Sequence, residues 1–459
     1  MAKLVYAGMS ADIIHSGHLN IIREAQKYGS LMVGVLTDEA IASYKRLPYL
    51  DFQQRISIVS QLKGVDRVVP QKTPGSISKP RHFQTFRRMD VAGLIPQRTL
   101  DYIPNLRLYK PDFVIHGDDW KSGIQKEVRR KILAVLKEWG GELIEVPYTQ
   151  NISSTRLNEA IREVGTTPDI RRKRLKRLLE AKPFIRILEA HSGISAHICE
   201  HAFIKQAHLK KEFDGIWSSS LVDSALRGKE DNESVDFSSR LSSLNDILEK
   251  TTKPIIFDGN TGGQTVHFVG WVKTLERLGV SAIVIEDKQG LKQNSLLGKT
   301  VPQQQEDPDE FAAKIHAGKQ AQVTDSFLIF ARIESFIAGK GCDDALARAR
   351  KYLAAGADGI MIHSSSKDAE DIREFCRQYN NLPDRKYLIL VPTAYNTFFE
   401  EELASWGANM IIYANHLIRS AYPAMERAAR MILEHGRSLE ADPFCMTSRD
   451  LILLFKEKE

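Results

Sequence analysis

The chain has 459 residues, 42% hydrophobic and 27% charged, with 64 Lys+Arg against 58 Asp+Glu for a net charge of +6. At roughly 150 residues per domain this predicts two or three domains with full cores and excludes a disordered chain. No run reaches the ~18 uninterrupted apolar residues of a membrane helix, the start Met1-Ala2-Lys3-Leu4-Val5-Tyr6 enters a strand-like run rather than a signal peptide, and four scattered cysteines (Cys199, Cys342, Cys376, Cys445) carry neither a CxxC pair nor metal-ligand spacing. The expectation is a cytoplasmic protein with reduced thiols, no membrane and no nucleic-acid partner, its mild charge suited to anionic small substrates.

Over residues 1–165 strand-like and helix-like segments alternate. Leu4-Val5-Tyr6-Ala7-Gly8 reads as a buried strand, 18–28 as an amphipathic helix, Leu31–Leu36 as a second strand and 52–62 as a second helix. Asp112–His116 and Glu142–Val146 are later strands. Near-continuous apolar strands between helices predict a parallel sheet covered on both faces, a doubly wound, Rossmann-like, nucleotide-binding layout. Pro70-Gln71-Lys72-Thr73 nearly recurs as Pro96-Gln97-Arg98-Thr99, with little periodicity between the copies. Residues 73–99 are therefore expected to form an inserted, mobile surface loop, a lid over an anionic substrate being the sharper alternative. Residues 166–180 contain Arg171-Arg172-Lys173-Arg174 and Lys176-Arg177. They read as a basic linker entering a helix with one charged face, in preference to a nucleic-acid patch. The second domain is placed at 181–459.

Eight apolar runs follow at regular spacing: Phe184–Leu188, Gly215–Trp217, Pro254–Phe257, Ala282–Ile285, Phe327–Ala331, Gly359–Ile362, Tyr387–Val391 and Met410–Tyr413. Helix-like segments such as 345–355 and 367–378 separate most of them. Eight strand–helix units over about 280 residues match a (β/α)8 TIM-type barrel, so the whole chain is of the α/β class. Each run stops at polar groups: Glu189 with His191, Ser219, Asp258, Glu286 with Asp287 and Lys288, Arg332 with Glu334, His363 with Ser364, Thr393, and Asn415 with His416. In such a barrel these ends converge on one mouth, where chemistry sits. Asp258, Glu286 and Asp231 suit a hard, hydrated cation such as Mg2+. Lys292, Arg332 and His363, with Asn294 and Ser295, suit a phosphoryl group and a carboxylate. Lone His191 or His416 is more simply a satisfied core histidine.

The segment Glu286-Asp287-Lys288-Gln289-Gly290-Leu291-Lys292-Gln293-Asn294-Ser295 resembles the EDKxGxKxNS signature of the phosphoenolpyruvate mutase family. Glu189–Ala196 resembles its EAHxGxSA opening and Gly215–Leu221 its GIWxSxL loop, while Ala331–Gly339 and Tyr413–His416 are similar to later family segments. The resemblance implies interconversion of phosphoenolpyruvate and phosphonopyruvate in phosphonate biosynthesis. By it, Trp217, Ser219, Ser220 and Ser295 bind substrate; Asp258, Asn260 and Glu286 surround Mg2+, held largely through water; and Asp231, Lys292, Asn294, Arg332 and His363 are catalytic. It also implies a homo-oligomer that exchanges a C-terminal helix. Isocitrate lyases of the same superfamily carry KKCGH, which this chain lacks, and phosphonopyruvate hydrolases replace the asparagine kept here as Asn294. The family's Asp-x-Asp after the third strand is Asp258-Gly259-Asn260 here, which predicts weaker Mg2+ binding without loss of activity.

In the first domain, Gly8-Met9-Ser10-Ala11-Asp12-Ile13-Ile14-His15-Ser16-Gly17-His18 lies between the first strand and its helix. Two histidines at i and i+3 by a helix N-terminus can stabilise charge on a phosphate under attack. Together with Gly117-Asp118-Asp119-Trp120 and Ile152-Ser153-Ser154-Thr155, this HxGH segment resembles the glycerol-3-phosphate cytidylyltransferase family. That resemblance implies Mg2+-dependent CMP transfer from CTP. His15 and His18 would act on the α-phosphate; Gly8, Asp12, Lys45, Arg55, Asp118, Ser153, Ser154 and Thr155 would bind nucleotide. Two departures are Met9-Ser10-Ala11 for Thr-Phe, and Tyr148-Thr149-Gln150-Asn151 for Arg-Thr-Glu-Gly. The order, transferase then mutase, resembles the bifunctional enzymes of fosfomycin biosynthesis and implies a phosphonate acceptor. The alternatives are a mutase with an inactive first domain, or a phosphonopyruvate hydrolase.

Overall fold

A computed structural model describes residues 3–42, 46–71, 102–118, 125–147, 166–206, 209–290, 292–300 and 303–456. The chain folds into two compact units, Met1–Ile185 with Ala202–Asp214, and Arg186–His201 with Gly215–Glu459. The expected insertion 73–99, Lys45, and Ser153, Ser154 and Thr155 lie outside the described residues.

The first unit is built on a five-stranded parallel sheet of β1 (Leu4–Met9), β2 (Ser30–Leu36), β3 (Arg67–Gln71), β4 (Phe113–Gly117) and β5 (Glu142–Val146), in the order β3-β2-β1-β4-β5. Central β1 and β2 are apolar and buried along almost their whole length because helices cover both faces. The order reverses between β1 and β4, so a ligand cleft is expected beyond their carboxyl ends. Strand β3 is absent from the sequence expectation. Its Arg-Val-Val-Pro-Gln is short and holds Pro70, which an edge position tolerates and which masks the strand signal. The basic run forms helix Pro168–Ala181, capped by Thr167. It is not a solvated charged face: Arg171 and Arg172 are buried, and Arg177 donates to Asp38 at 2.9 Å and to Tyr49 O at 3.1 Å. A hairpin, β7 (Phe203–Gln206) with β8 (Leu209–Glu212), also belongs to this unit.

The second unit is a closed parallel barrel. Its strands are β6 (Ile185–Glu189), β9 (Gly215–Ser218), β10 (Ile255–Asp258), β11 (Ala282–Glu286), β12 (Leu328–Ile333), β13 (Gly359–Ile362), β14 (Tyr387–Leu390) and β15 (Met410–Tyr413), neighbours in chain order with β15 closing on β6. All eight apolar runs are strands. Their Ile, Val, Leu and Phe, interrupted by Arg186 in β6 and Arg332 in β12, suit strands buried on both faces, with barrel filling inside and helices outside. Because every pairing is parallel, all carboxyl ends meet at one mouth. No described helix is long and apolar enough to cross a membrane.

Candidate active sites

At the barrel mouth a cleft is lined by Trp217, Ser219, Ser220, Leu221, Asp231, Asp258, Lys292, Asn294, Leu296, Arg332, Met361, His363, Val391, Thr393, Ala414 and Asn415. Glu286 and Arg332 are register partners on β11 and β12, and Arg332 Nη1 lies 3.3 Å from Glu286 Oε2. Lys292 sits among three acceptors, Ser220 Oγ at 2.7 Å, Asn260 Oδ1 at 2.7 Å and Asp231 Oδ1 at 3.2 Å, which matches the three donors of an ammonium. Burial alone would lower its pKa, but Glu286, Asp258 and Asp231 reverse that and raise it, so the charge is retained. Asn294 Nδ2 donates to the other Asp231 oxygen at 2.5 Å. One carboxylate thus anchors both loop residues.

Asp258 accepts from Ser220 N (3.1 Å), Ser220 Oγ (2.8 Å) and Asn260 N (3.2 Å). Burial pushes its carboxyl up, but Lys292, Arg240 and Arg332 outweigh burial and bring it down to about 2. Glu286 is 1% exposed, and neither of its oxygens has a hydrogen-bond partner. Arg332, Lys288 and Lys292 lie 3.3, 3.9 and 3.9 Å from it, which balances its charge but leaves its lone pairs to ordered water or a hydrated ion. Asp258 and Glu286 therefore fit a divalent ion. Among the described residues no three His, Cys, Asp or Glu side chains form a cage, and Mg2+ does not need one, since it keeps several waters.

His363 Nδ1 lies 3.1 Å from Arg332 Nη2. Glu334 Oε1 lies 3.4 Å from the same Nδ1, so Nδ1 either accepts from the guanidinium or donates to the carboxylate, and the tautomer decides which. Burial, aided by Arg332, lowers the His363 pKa, which favours the neutral form. Glu334 lies 2.5 Å from Arg332 Nε, and burial notwithstanding, Arg332 and Lys288 hold its carboxyl well below the usual range.

Several expected site groups also make contacts that hold the frame. Ser295, expected to bind substrate, is 2% exposed and does not line the cleft; its hydroxyl is taken up by Lys288, Arg332 and Glu334. Asn260 was expected near the metal, but its side-chain oxygen is occupied by Lys292. Ser219 does line the cleft, yet its hydroxyl also caps helix Ser220–Leu226. Glu189 accepts from the backbone of Leu417 and Ile418 and binds His191 at 2.9 Å, the satisfied-histidine reading. Asp287 is fully buried with Arg348, Tyr352 and Gln305.

Sequence reasoning missed Arg240, which is buried and donates to Asp223, to Ser218 O and to Asp258 O. It ties the ends of β9 and β10 together. The available signal was an arginine on the apolar stripe Phe237, Leu244, Ile247 of helix Phe237–Lys250.

In the first unit, His15 caps helix Ser16–Ala25, its Nδ1 accepting from Gly17 N at 3.1 Å, and His18 Nδ1 accepts from His15 N at 3.4 Å. Both neutral rings therefore carry the proton on Nε2, with centroids 4.1 Å apart. Burial lowers the His15 pKa. Asp118 follows β4 across the switch point from them. Two expected nucleotide contacts are structural. Arg55 is fully buried and donates to Ser10 O (2.6 Å), Leu36 O (2.7 Å) and Asp38 (2.7 Å). Gly8 leaves room for Tyr102, whose ring would lie 2.3 Å from a Cβ there. Asp12 is buried, one oxygen accepting from Leu50 N and the other without a hydrogen-bond partner.

Residues 175–433 match the family described as phosphoenolpyruvate phosphomutase, and residues 6–160 match the cytidylyltransferase-like family. The phosphoenolpyruvate phosphomutase of Tetrahymena pyriformis is 36% identical over 286 residues, 62% of this chain and 91% of that protein. The crystal structure of phosphoenolpyruvate phosphomutase from Streptomyces platensis subsp. rosaceus is 33% identical with a TM-score of 0.56, covering 61% of this chain and 93% of the other. A phosphonopyruvate hydrolase solved with oxalate and Mg2+ is 31% identical with a TM-score of 0.55, covering 62% and 94%. The chain belongs to the phosphoenolpyruvate phosphomutase family of enzymes, with a cytidylyltransferase-like domain fused in front of the barrel.

Proposed function

We propose that the barrel interconverts phosphoenolpyruvate and phosphonopyruvate in phosphonate biosynthesis. The observation that carries this reading is one mouth at which Asp258, Lys292, Asn294, Arg332 and His363 line a cleft, with Glu286 behind them 3.3 Å from Arg332 and 3.9 Å from Lys292. Cleaving the C–P bond leaves its electrons on an enolate, and the PO3 group then bonds to that enolate's oxygen within the same molecule. Lys292 and Arg332 stabilise the charge spread over the PO3 oxygens, and His363 borders the same group. Trp217 and Ser220 border the organic part of the substrate. Asp258 and Glu286 would hold Mg2+ through water; bound there, it neutralises the substrate's anionic oxygens. Asn294, tied to Asp231, helps exclude water, which favours mutase over hydrolase. Phosphorus NMR of phosphonopyruvate with Mg2+ tests this: phosphoenolpyruvate is expected, whereas pyruvate with phosphate means a hydrolase.

For the first unit we infer CMP transfer from CTP to a phosphonate, supported by the paired His15 and His18 at the switch point. Pyrophosphate release from CTP across a panel of phosphonates tests it. We further propose a cytoplasmic homo-oligomer. Among the described residues the four cysteines form no disulfide, which suits a reducing compartment. Helix His416–His435 is amphipathic yet buries none of its residues, with Tyr422, Met425 and Leu433 exposed, as a helix awaiting a second copy would be. Sedimentation at micromolar concentration distinguishes oligomer from monomer.

A further inference from the structure

The segment Lys292–Leu296 carries two cleft-lining side chains, Lys292 and Asn294, whereas Arg332 belongs to β12. One hydroxyl joins them. Ser295 Oγ accepts from Lys288 Nζ at 2.6 Å and from Arg332 Nη2 at 2.7 Å, and donates to Glu334 Oε2 at 2.7 Å. Two acceptances and one donation exhaust a serine. The same Arg332 nitrogen touches His363 Nδ1, and Glu334 lies against Arg332 Nε. Displacing the segment therefore removes one of the bonds that fix Arg332.

We propose that Ser295 is a positioning residue that latches the Lys292–Leu296 segment to Arg332, so that Arg332 is in place for the phosphoryl group only when the segment covers it. This rests on the mutase reading of the barrel. The latch sets the partition of the phosphoryl group. With it made, phosphorus leaves carbon and bonds to the enolate oxygen of the same molecule. With it broken, a water oxygen bonds to phosphorus, the enolate carbon takes the proton, and pyruvate and phosphate are released. Ser295 is 2% exposed, is not among the cleft-lining side chains and has its hydroxyl fully taken up, which gives it no direct part in either step.

The test compares wild type, Ser295→Ala and Ser295→Cys with phosphonopyruvate and Mg2+ by phosphorus NMR. It adds limited tryptic digestion mapped by mass spectrometry, and thermal melting to confirm folding. For Ser295→Ala, kcat is expected to fall roughly 10- to 100-fold with KM changed less than about threefold, as expected when placement rather than binding is lost. The share of phosphate plus pyruvate should rise, and cleavage within residues 288–306 should speed up. Ser295→Cys, which keeps a weak donor and acceptor, should fall between, and it carries the test if the alanine variant does not fold. Unchanged product partition and unchanged cleavage in a folded variant overturn the latch. A wild type that yields neither product overturns the mutase reading instead, and the digestion arm then decides the latch alone: faster cleavage supports it, equal cleavage overturns it.

Discussion

In the barrel mouth the charged groups are buried and hold one another: Lys292 is bound by three acceptors, and Arg332 is bound by Glu334, Ser295 and His363. In the first unit, His15 and His18 are set by backbone N–H groups at a helix start, and Arg55 pairs with Asp38 within the fold. One site is organised by side-chain charge and the other by backbone. The first should fail sharply when one charge is removed. The second should separate cleanly into residues that touch phosphate and residues that hold the loop.

The largest effect expected is in the barrel. Lys292→Met keeps the length of the side chain but leaves Asp231, Asn260 and Ser220 without their donor and Glu286 with less compensation. Phosphonopyruvate turnover should fall at least about 1,000-fold, while CTP-dependent pyrophosphate release is unaffected. Loss of both activities would show that the sites do not work independently. In the first unit, His15→Ala should lower pyrophosphate release roughly 100- to 1,000-fold and leave the isomerisation intact. Arg55→Met should act on stability, removing roughly 3–5 kcal/mol from the first unit in denaturant titration, because Asp38 and two carbonyls lose a buried partner. A folded Arg55→Met with normal stability and weak CTP binding would return Arg55 to the nucleotide site.

Much of this was legible in the residues, and the misses share one cause. Eight short, mainly apolar runs at regular spacing read as strands buried on both faces, and their polar ends meet once every strand runs parallel. A motif, however, does not say which of its residues face the cleft. EDKxGxKxNS contains Lys292 and Asn294, which line it, and Asp287, Lys288 and Ser295, which are buried behind it. Arg55 and Gly8 fell within family segments for the same reason, one bracing the loop and the other making room for Tyr102. Arg240 lay outside every motif, and only its misfit on an apolar helical stripe marked it. Burial and completed hydrogen-bond capacity sort these roles, and neither can be read from residue type.

Asn260→Asp sharpens the barrel side by a smaller step. Asn260 has φ 52 and its backbone oxygen accepts from Glu286 N at 2.7 Å, so its loop is locked to the strand bearing the candidate cation ligand. Aspartate tolerates this left-handed conformation and adds one negative charge beside Lys292. Mg2+ affinity, measured by calorimetry, should tighten about three- to tenfold, with little change in turnover at saturating Mg2+. Equal affinity would place this position outside the cation's field.

The smallest effect concerns His363. Its folded-state pKa lies below the ordinary histidine value because of burial and Arg332, so the unfolded chain binds a proton that the folded one refuses. Its contribution to stability is therefore full above the unfolded value near 6.5, and is lost as pH falls from there through the lowered folded value. Activity should follow the same limb, since an imidazolium would add a second positive charge against Arg332, offset in part by Glu334. His363→Asn keeps a neutral group that can both accept and donate, so the acid-side slopes of melting temperature and of kcat should both flatten between pH 7 and 5. If only the kcat slope flattens, the proton acts on the substrate and not on the fold. If neither slope changes, the neutral form is set by something other than its packing against Arg332.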